Sequence, residues 1–183
     1  MADDSTAKRY PATAIALHWL MLALIVAVYA CILLRENYPR GSDLRDALKT
    51  WHFMLGLSVL TLVIVRIVMR LFIWKAPEIT PQPARWQVLL AGIVHVGLYA
   101  FMIAMPIAGW LILSAEGKVI PFWGLELPPL MAADKPLGEQ IQELHETGGT
   151  IGYFLVGLHA AAALVHHYIM KDNTLVRMLP GKR

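Results

Sequence analysis

The sequence predicts an all-α integral membrane protein, a four-helix up-down bundle with the N- and C-termini both cytoplasmic. Three observations carry that expectation. Of the 183 residues, 57% are hydrophobic and only 16% are charged, whereas a soluble domain carries about a quarter charged residues. The apolar excess gathers in Ala14–Leu34, Trp51–Trp74, Val88–Leu113 and Gly148–Met170, each at or above the roughly 20 residues that cross a hydrocarbon core. The segments between are short, as an up-down bundle requires. Such a chain partners the lipid bilayer, and the pattern excludes a soluble enzyme, a nucleic-acid binder and a disordered protein.

Helix 1 is expected over 13–34. Lys8 and Arg9 precede it as they precede a signal peptide, but the apolar run exceeds a signal core of roughly 7–15 residues, so the helix should be retained. Pro39, Gly41 and Ser42 break the chain, Asp43 offers an N-cap, and helix 2 over 44–74 enters the membrane near Trp51. Pro77, Pro81 and Pro83 make the next loop extended before helix 3 over 87–113. The longest loop, 114–137, contains Pro121, Pro128, Pro129 and Pro136. Helix 4 is expected over 138–170, and some 33 residues at 1.5 Å each give about 50 Å, more than the membrane core needs. No repeat or low-complexity segment divides the chain, so residues 1–183 read as one domain.

Orientation follows from the basic residues. Lys8, Arg9, Arg66, Arg70, Lys75, Arg85, Lys171, Arg177, Lys182 and Arg183 fall on one side, against Arg35, Arg40, Arg45, Lys49, Lys118 and Lys135. The larger set belongs in the cytoplasm, with both termini. Lone Cys31 cannot form an internal disulfide, and with no Cys-x-x-Cys-His the chain cannot attach a c-type haem covalently.

Seven histidines, His18, His52, His95, His145, His159, His166 and His167, fall in or at the edge of the four helices. Ionisable groups are costly there and are functional candidates by default. On helix 4, His145, His159 and His166 are spaced by 14 and 7 residues, drifting only about −40° and −20° from one face. His145 and His159 stand about 21 Å apart along the axis, too far for one metal and suited to two cofactors. Matching by depth pairs His52 with His145 on the outer side and His18 with His159 on the inner side. Neutral imidazole is an axial ligand of haem iron, so the pairs predict two bis-histidine haem b sites built for electron transfer.

Other residues keep two readings. His95 lies near the depth of His159, where it replaces His18 as a ligand, bonds a propionate, or bonds a carbonyl freed by Pro106. Arg66 and Arg70 neutralise haem propionates or mark the positive-inside boundary. His166 is placed to hydrogen-bond a quinone carbonyl, or it snorkels with His167 at the interface. His145-Glu146 opens a zinc-protease motif that fails at Gly149. A proton-relay transporter with intramembrane histidines is the competing class, and it would bind no haem.

The residues Ala16-Leu-His-Trp, Trp51-His-Phe-Met-Leu-Gly-Leu-Ser and Met105-Pro-Ile-Ala-Gly, with the run Gly152–Tyr168 and Lys171-Asp-Asn-Thr-Leu, give nearly the whole chain a resemblance. It resembles the bacterial cytochrome b561 family of four-helix dihaem proteins of the inner membrane. The resemblance implies haem b ligation by His18 with His159 and by His52 with His145, with ubiquinone as electron acceptor. In the superoxide oxidase branch it implies superoxide as the outer-side donor. An anionic substrate needs a positive funnel, and the candidates are Arg35, Arg40 and Lys49 in a loop of net charge +1. The loop 3–4 side, with the start of helix 4, is net −4, so steering falls to that local patch. Gln82 stands where the family pattern can carry a lysine near the quinone, leaving Arg85 or Lys75 as basic candidates beside His166. The alternative function is a cytochrome b subunit passing electrons between quinone and a partner oxidoreductase of the hydrogenase or formate dehydrogenase type.

Overall fold

The computed structural model describes residues 9–181; Lys8, Lys182 and Arg183, used in the charge count, lie outside the described residues. Four long helices are present: α1 (Ala12–Leu34), α2 (Asp43–Phe72), α3 (Arg85–Ala115) and α4 (Lys135–Val165). All four are long and apolar enough to cross a membrane. Packing is sequential, α1 on α2, α2 on α3 and α3 on α4. The tightest core joins the first three around Met21, Val59, Val63 and Met102, and Val63 is fully buried. Outward faces stay apolar and exposed, as at Leu71, Phe72 and Phe154, because lipid covers them in a membrane.

The helix starts differ from the sequence reading for local reasons. Ser42, not Asp43, precedes the first turn of α2, and its hydroxyl bonds the Pro39 carbonyl at 2.9 Å. α4 begins three residues earlier than expected: Asp134 caps it by accepting from the Leu137 amide at 3.1 Å, and Pro136 sits inside the first turn. A proline there loses no helical bond, since those amides are free anyway. α4 does not simply stop at Met170 either. Residues His166–Met170 widen into a π turn, closed by Lys171 in the left-handed region at φ 56°.

The loop between α3 and α4 contains a hairpin, β1 (Ile120–Phe122) with antiparallel β2 (Leu125–Leu127), joined by Trp123-Gly124. Its register pairs Ile120 with Leu127 and Phe122 with Leu125. Ile120 is buried against Leu57 and Leu113, seating the hairpin on α2 and α3. The Trp123 indole N–H donates to the Ser58 hydroxyl at 2.9 Å, and its ring meets Trp51 edge-on.

The chain returns at its far end. Residues 172–179 lie against the start of α1 and the proline-rich loop between α2 and α3. Trp19 donates to the Met178 carbonyl at 2.8 Å, and the Tyr10 amide to the Arg177 carbonyl at 3.1 Å. Asn173 bonds Thr80 in both directions, through its side-chain oxygen and its amide, and also donates to the Glu78 carbonyl. Arg177, buried, donates to the Pro77 carbonyl.

Candidate functional site

The helices bring the histidines together in two groups at two levels. His52 of α2 faces His145 of α4 with ring centres 6.1 Å apart and planes at 75°. His18 of α1 faces His159 of α4 at 6.2 Å and 67°. His95 of α3 approaches the same His159 more closely, at 5.3 Å. The 14 residues between His145 and His159 separate the levels by about 21 Å.

Each level has its own surroundings. His52 Nδ1 lies 3.0 Å from the Val28 carbonyl of α1; a carbonyl only accepts, so Nδ1 carries the proton and Nε2 keeps a free lone pair. His52 and His145 line one pocket with Phe53, Leu57, Pro106 and Gly109. His145 Nδ1 is buried with no hydrogen-bond partner among the described residues. One turn further along each helix stand Gly56 and Gly149, where a Cβ would meet nothing within 4 Å. Open space therefore flanks the pair on both helices.

Between the levels Tyr29 ties α1 to α4. Its hydroxyl donates to the Gly149 carbonyl at 2.7 Å and its ring lies 4.2 Å from that of Tyr153. A Cβ at Gly152 would collide with that hydroxyl and with Phe101. Beside this contact an apolar groove of about 480 Å³ separates α1 from α4, lined by Leu22, Ile25 and Val26 opposite Val156 and Gly157.

The charged candidates divide by end. Arg35 follows α1, Arg40 lies in the turn before α2, and Lys49 precedes His52 by one turn, so all three lie toward the His52 end. Arg35 and Arg45 both pair with Glu36, at 2.8 and 3.2 Å. Those two guanidiniums, first by hydrogen bonding, hold the exposed Glu36 carboxyl below the usual carboxylate range. Arg40 and Lys49 make no ion pair among the described residues; Lys49 rests over the Phe53 ring at 5.7 Å. At the other end, Arg66 donates from Nε to the Tyr99 hydroxyl at 3.3 Å while one terminal nitrogen is buried without a partner. Arg70, a turn beyond, is exposed, as is Arg85 at the start of α3. The carbonyl that Pro106 frees, that of Met102, is two turns from His95 and does not serve it.

His166 is joined by a residue the sequence did not single out. Its Nδ1 lies 2.5 Å from Asp172 Oδ2, and the Asp172 side chain is only 3% exposed. Burial pushes the pKa of this carboxyl up, but hydrogen bonds from His166 and the Thr174 amide outweigh it and hold the group below the ordinary aspartate range. The fragment Lys171-Asp-Asn-Thr-Leu was the available signal; its geometry was not.

Four membrane-crossing helices with histidines paired in the interior define a membrane cytochrome of the b type. The chain matches the model of the prokaryotic cytochrome b561 family over residues 9–181. It belongs to that family, and so is a multi-pass inner-membrane electron-transfer protein using haem b. It is 36% identical over 176 residues to Cytochrome b561 homolog 1 of Escherichia coli (strain K12), covering 96% of this chain and 99% of the relative. It is 38% identical over 176 residues to a Yersinia pestis protein named Probable superoxide oxidase CybB, covering 96% of this chain and 98% of that one. Cytochrome b561 homolog 2 of Escherichia coli (strain K12) is 28% identical over 180 residues, covering 98% of this chain and 95% of that protein.

Proposed function

We propose that this protein binds two haem b groups, one between His52 and His145 and one between His18 and His159, and uses them to oxidise superoxide and reduce ubiquinone. The spacing of the paired rings carries the reading. A metal–imidazole bond of about 2.0 Å, with the ring centre about 1.1 Å beyond nitrogen, would set two ring centres on opposite sides of one metal about 6.2 Å apart. The spacings of 6.1 and 6.2 Å fit that value. His95 at 5.3 Å is about 1 Å too near His159 for the same arrangement, which favours His18 as the partner.

The neighbouring residues suit a large flat group. Gly56 and Gly149 leave room beside the outer pair, and the groove between α1 and α4 gives an apolar wall. The Val28 carbonyl fixes the His52 tautomer so that Nε2 is the free donor atom, the usual support for a metal-bound imidazole. The orphan nitrogen of Arg66 is suited to a propionate carboxylate, with Arg70 as a second contact. Bound haem would supply one-electron carriers at both levels, closed to small ligands on both faces.

The outer donor is assigned from the 38% identity with the Yersinia pestis protein and from Arg40 and Lys49, which have no acidic partner among the described residues and stand toward the His52 end with Arg35. They draw an anion to that end. In the proposed orientation both termini and the Arg66–Arg70 end face the cytoplasm, and ubiquinone is reduced near His166 and Arg85. Two superoxide anions become two molecules of oxygen, while one quinone takes two electrons and two protons to become quinol. Feeding superoxide to the purified protein with a soluble ubiquinone analogue should yield quinol. Haem reduction by other donors with no response to superoxide would point instead to a subunit serving a partner oxidoreductase.

A further inference from the structure

We propose that Asp172 is the positioning residue for proton delivery to the quinone, holding His166 so that its outward nitrogen protonates the quinone oxygen. The inference rests on the reading of His166 as part of the quinone site. Ending α4 does not require this carboxylate. The Asp172 amide, bonding the His166 carbonyl at 3.1 Å, and left-handed Lys171 already close the last turn. An anion at a helix C-terminus faces the unfavourable pole of the helix dipole, and burying it adds a desolvation cost. Among the described residues no arginine lies within ion-pair distance of it; Arg177 donates to Pro77 and acts on Asp172 only through its nearby charge.

The carboxylate makes two contacts: Oδ1 accepts from the Thr174 amide at 2.8 Å within its own turn, and Oδ2 reaches back to His166 Nδ1 at 2.5 Å. A non-glycine residue at φ 56° is itself unfavourable, yet it aims Asp172 back at the helix. Asn173 and Arg177 then clamp the segment to the loop carrying Pro77, Glu78 and Thr80. The histidine ring keeps partial exposure, 18%, where its partner keeps 3%, and Nε2 has no hydrogen-bond partner among the described residues. His166 lies about 10.5 Å along the axis from His159. The carboxylate accepts from Nδ1–H and stabilises the imidazolium. As two electrons arrive from the reduced cytochrome, the Nε2–H bond breaks and an O–H bond forms on the quinone. The second proton comes from water at that face, and water reprotonates Nε2.

The test compares Asp172→Asn, Asp172→Glu and His166→Asn in the purified haem-loaded protein. Reoxidation of the reduced haems is timed with a ubiquinone analogue and with ferricyanide, which takes an electron without a proton. His166→Asn should slow the quinone reaction about a hundredfold or more, the scale of a lost general acid, and Asp172→Asn about tenfold or more, the scale of a lost orienting partner, with the ferricyanide rate and haem content kept. Asp172→Glu should recover most of the quinone rate. Slow His166→Asn beside a wild-type Asp172→Asn overturns the role of Asp172 alone. Wild-type rates in both overturn the quinone site at His166 and this inference with it. Loss of haem, or equal slowing with both acceptors in both Asp172 variants, means a structural brace and also overturns it.

Discussion

A histidine in a bilayer has two nitrogens to satisfy, and His52 places one of them on the Val28 carbonyl at 3.0 Å. Its partner His145 has a buried Nδ1 left over. If each pair holds one haem, replacing a single ligand empties one level and leaves the other. His145→Ala should lower the haem content from about two per chain to about one, measured as pyridine haemochrome. His95→Ala should keep both, and a drop to one would transfer the ligand role from His18 to His95. Gly152 tests packing at the same scale: its missing Cβ makes room for the Tyr29 hydroxyl and Phe101. Gly152→Val should cost about 1–3 kcal/mol, the usual penalty of overpacking, seen as a lower melting temperature. Asp172 gives a sign in pH. Its carboxyl lies below the ordinary aspartate range when folded, so its stabilisation is full above the unfolded value and is lost as pH falls through the folded one. Acid unfolding of Asp172→Asn should therefore be less steep than that of the wild type at the acid end of the curve.

Among the elements, the four spans were legible because a bilayer leaves the chain little choice. An apolar run of 20 residues must satisfy its own backbone, and a helix does so. Part of the histidine grouping was legible for a related reason: on straight helices depth follows from residue count, which matched His52 with His145 and left both His18 and His95 near His159, where the resemblance pointed to His18. Cap positions were less so. Pro136 reads as a breaker until Asp134 accepts the Leu137 amide and makes it part of the first turn. Removing that cap by Asp134→Ala should cost about 1 kcal/mol, measured by thermal unfolding, and no change would mean the Lys135–Gly138 turn is held by packing instead. The β1–β2 hairpin escaped the sequence reading because its strands are three residues long and one contains Pro121. Trp123 also takes a positive φ of 50° that a bulky residue rarely adopts. What holds it is tertiary: Ile120 against Leu57 and Leu113, and Trp123 on Ser58 and Trp51.

At the scale of the whole molecule the two ends differ in how they are built. The Arg66–Arg70 end is tied by the returning segment 172–179, whose contacts reach from 93 residues back, at Thr80, to as far as Tyr10. Most of them use backbone carbonyls of Pro77, Glu78, Thr80 and Met178, which leave no pattern in a sequence. Asp172 went unremarked for a local reason: its approach to His166, six residues back, depends on the π turn and on left-handed Lys171. The opposite end carries the hairpin, the Arg35–Glu36–Arg45 cluster and Lys49, a surface suited to meeting a small soluble donor. Between them the proposed function requires two cofactors on one electron path, one at each histidine level. The haem content of the purified wild-type protein, measured with oxidised and reduced spectra, tests this most directly. About two low-spin b haems per chain are expected, as two bis-histidine sites require. One haem per chain, or a spectrum responding to carbon monoxide as an open iron would, would contradict it.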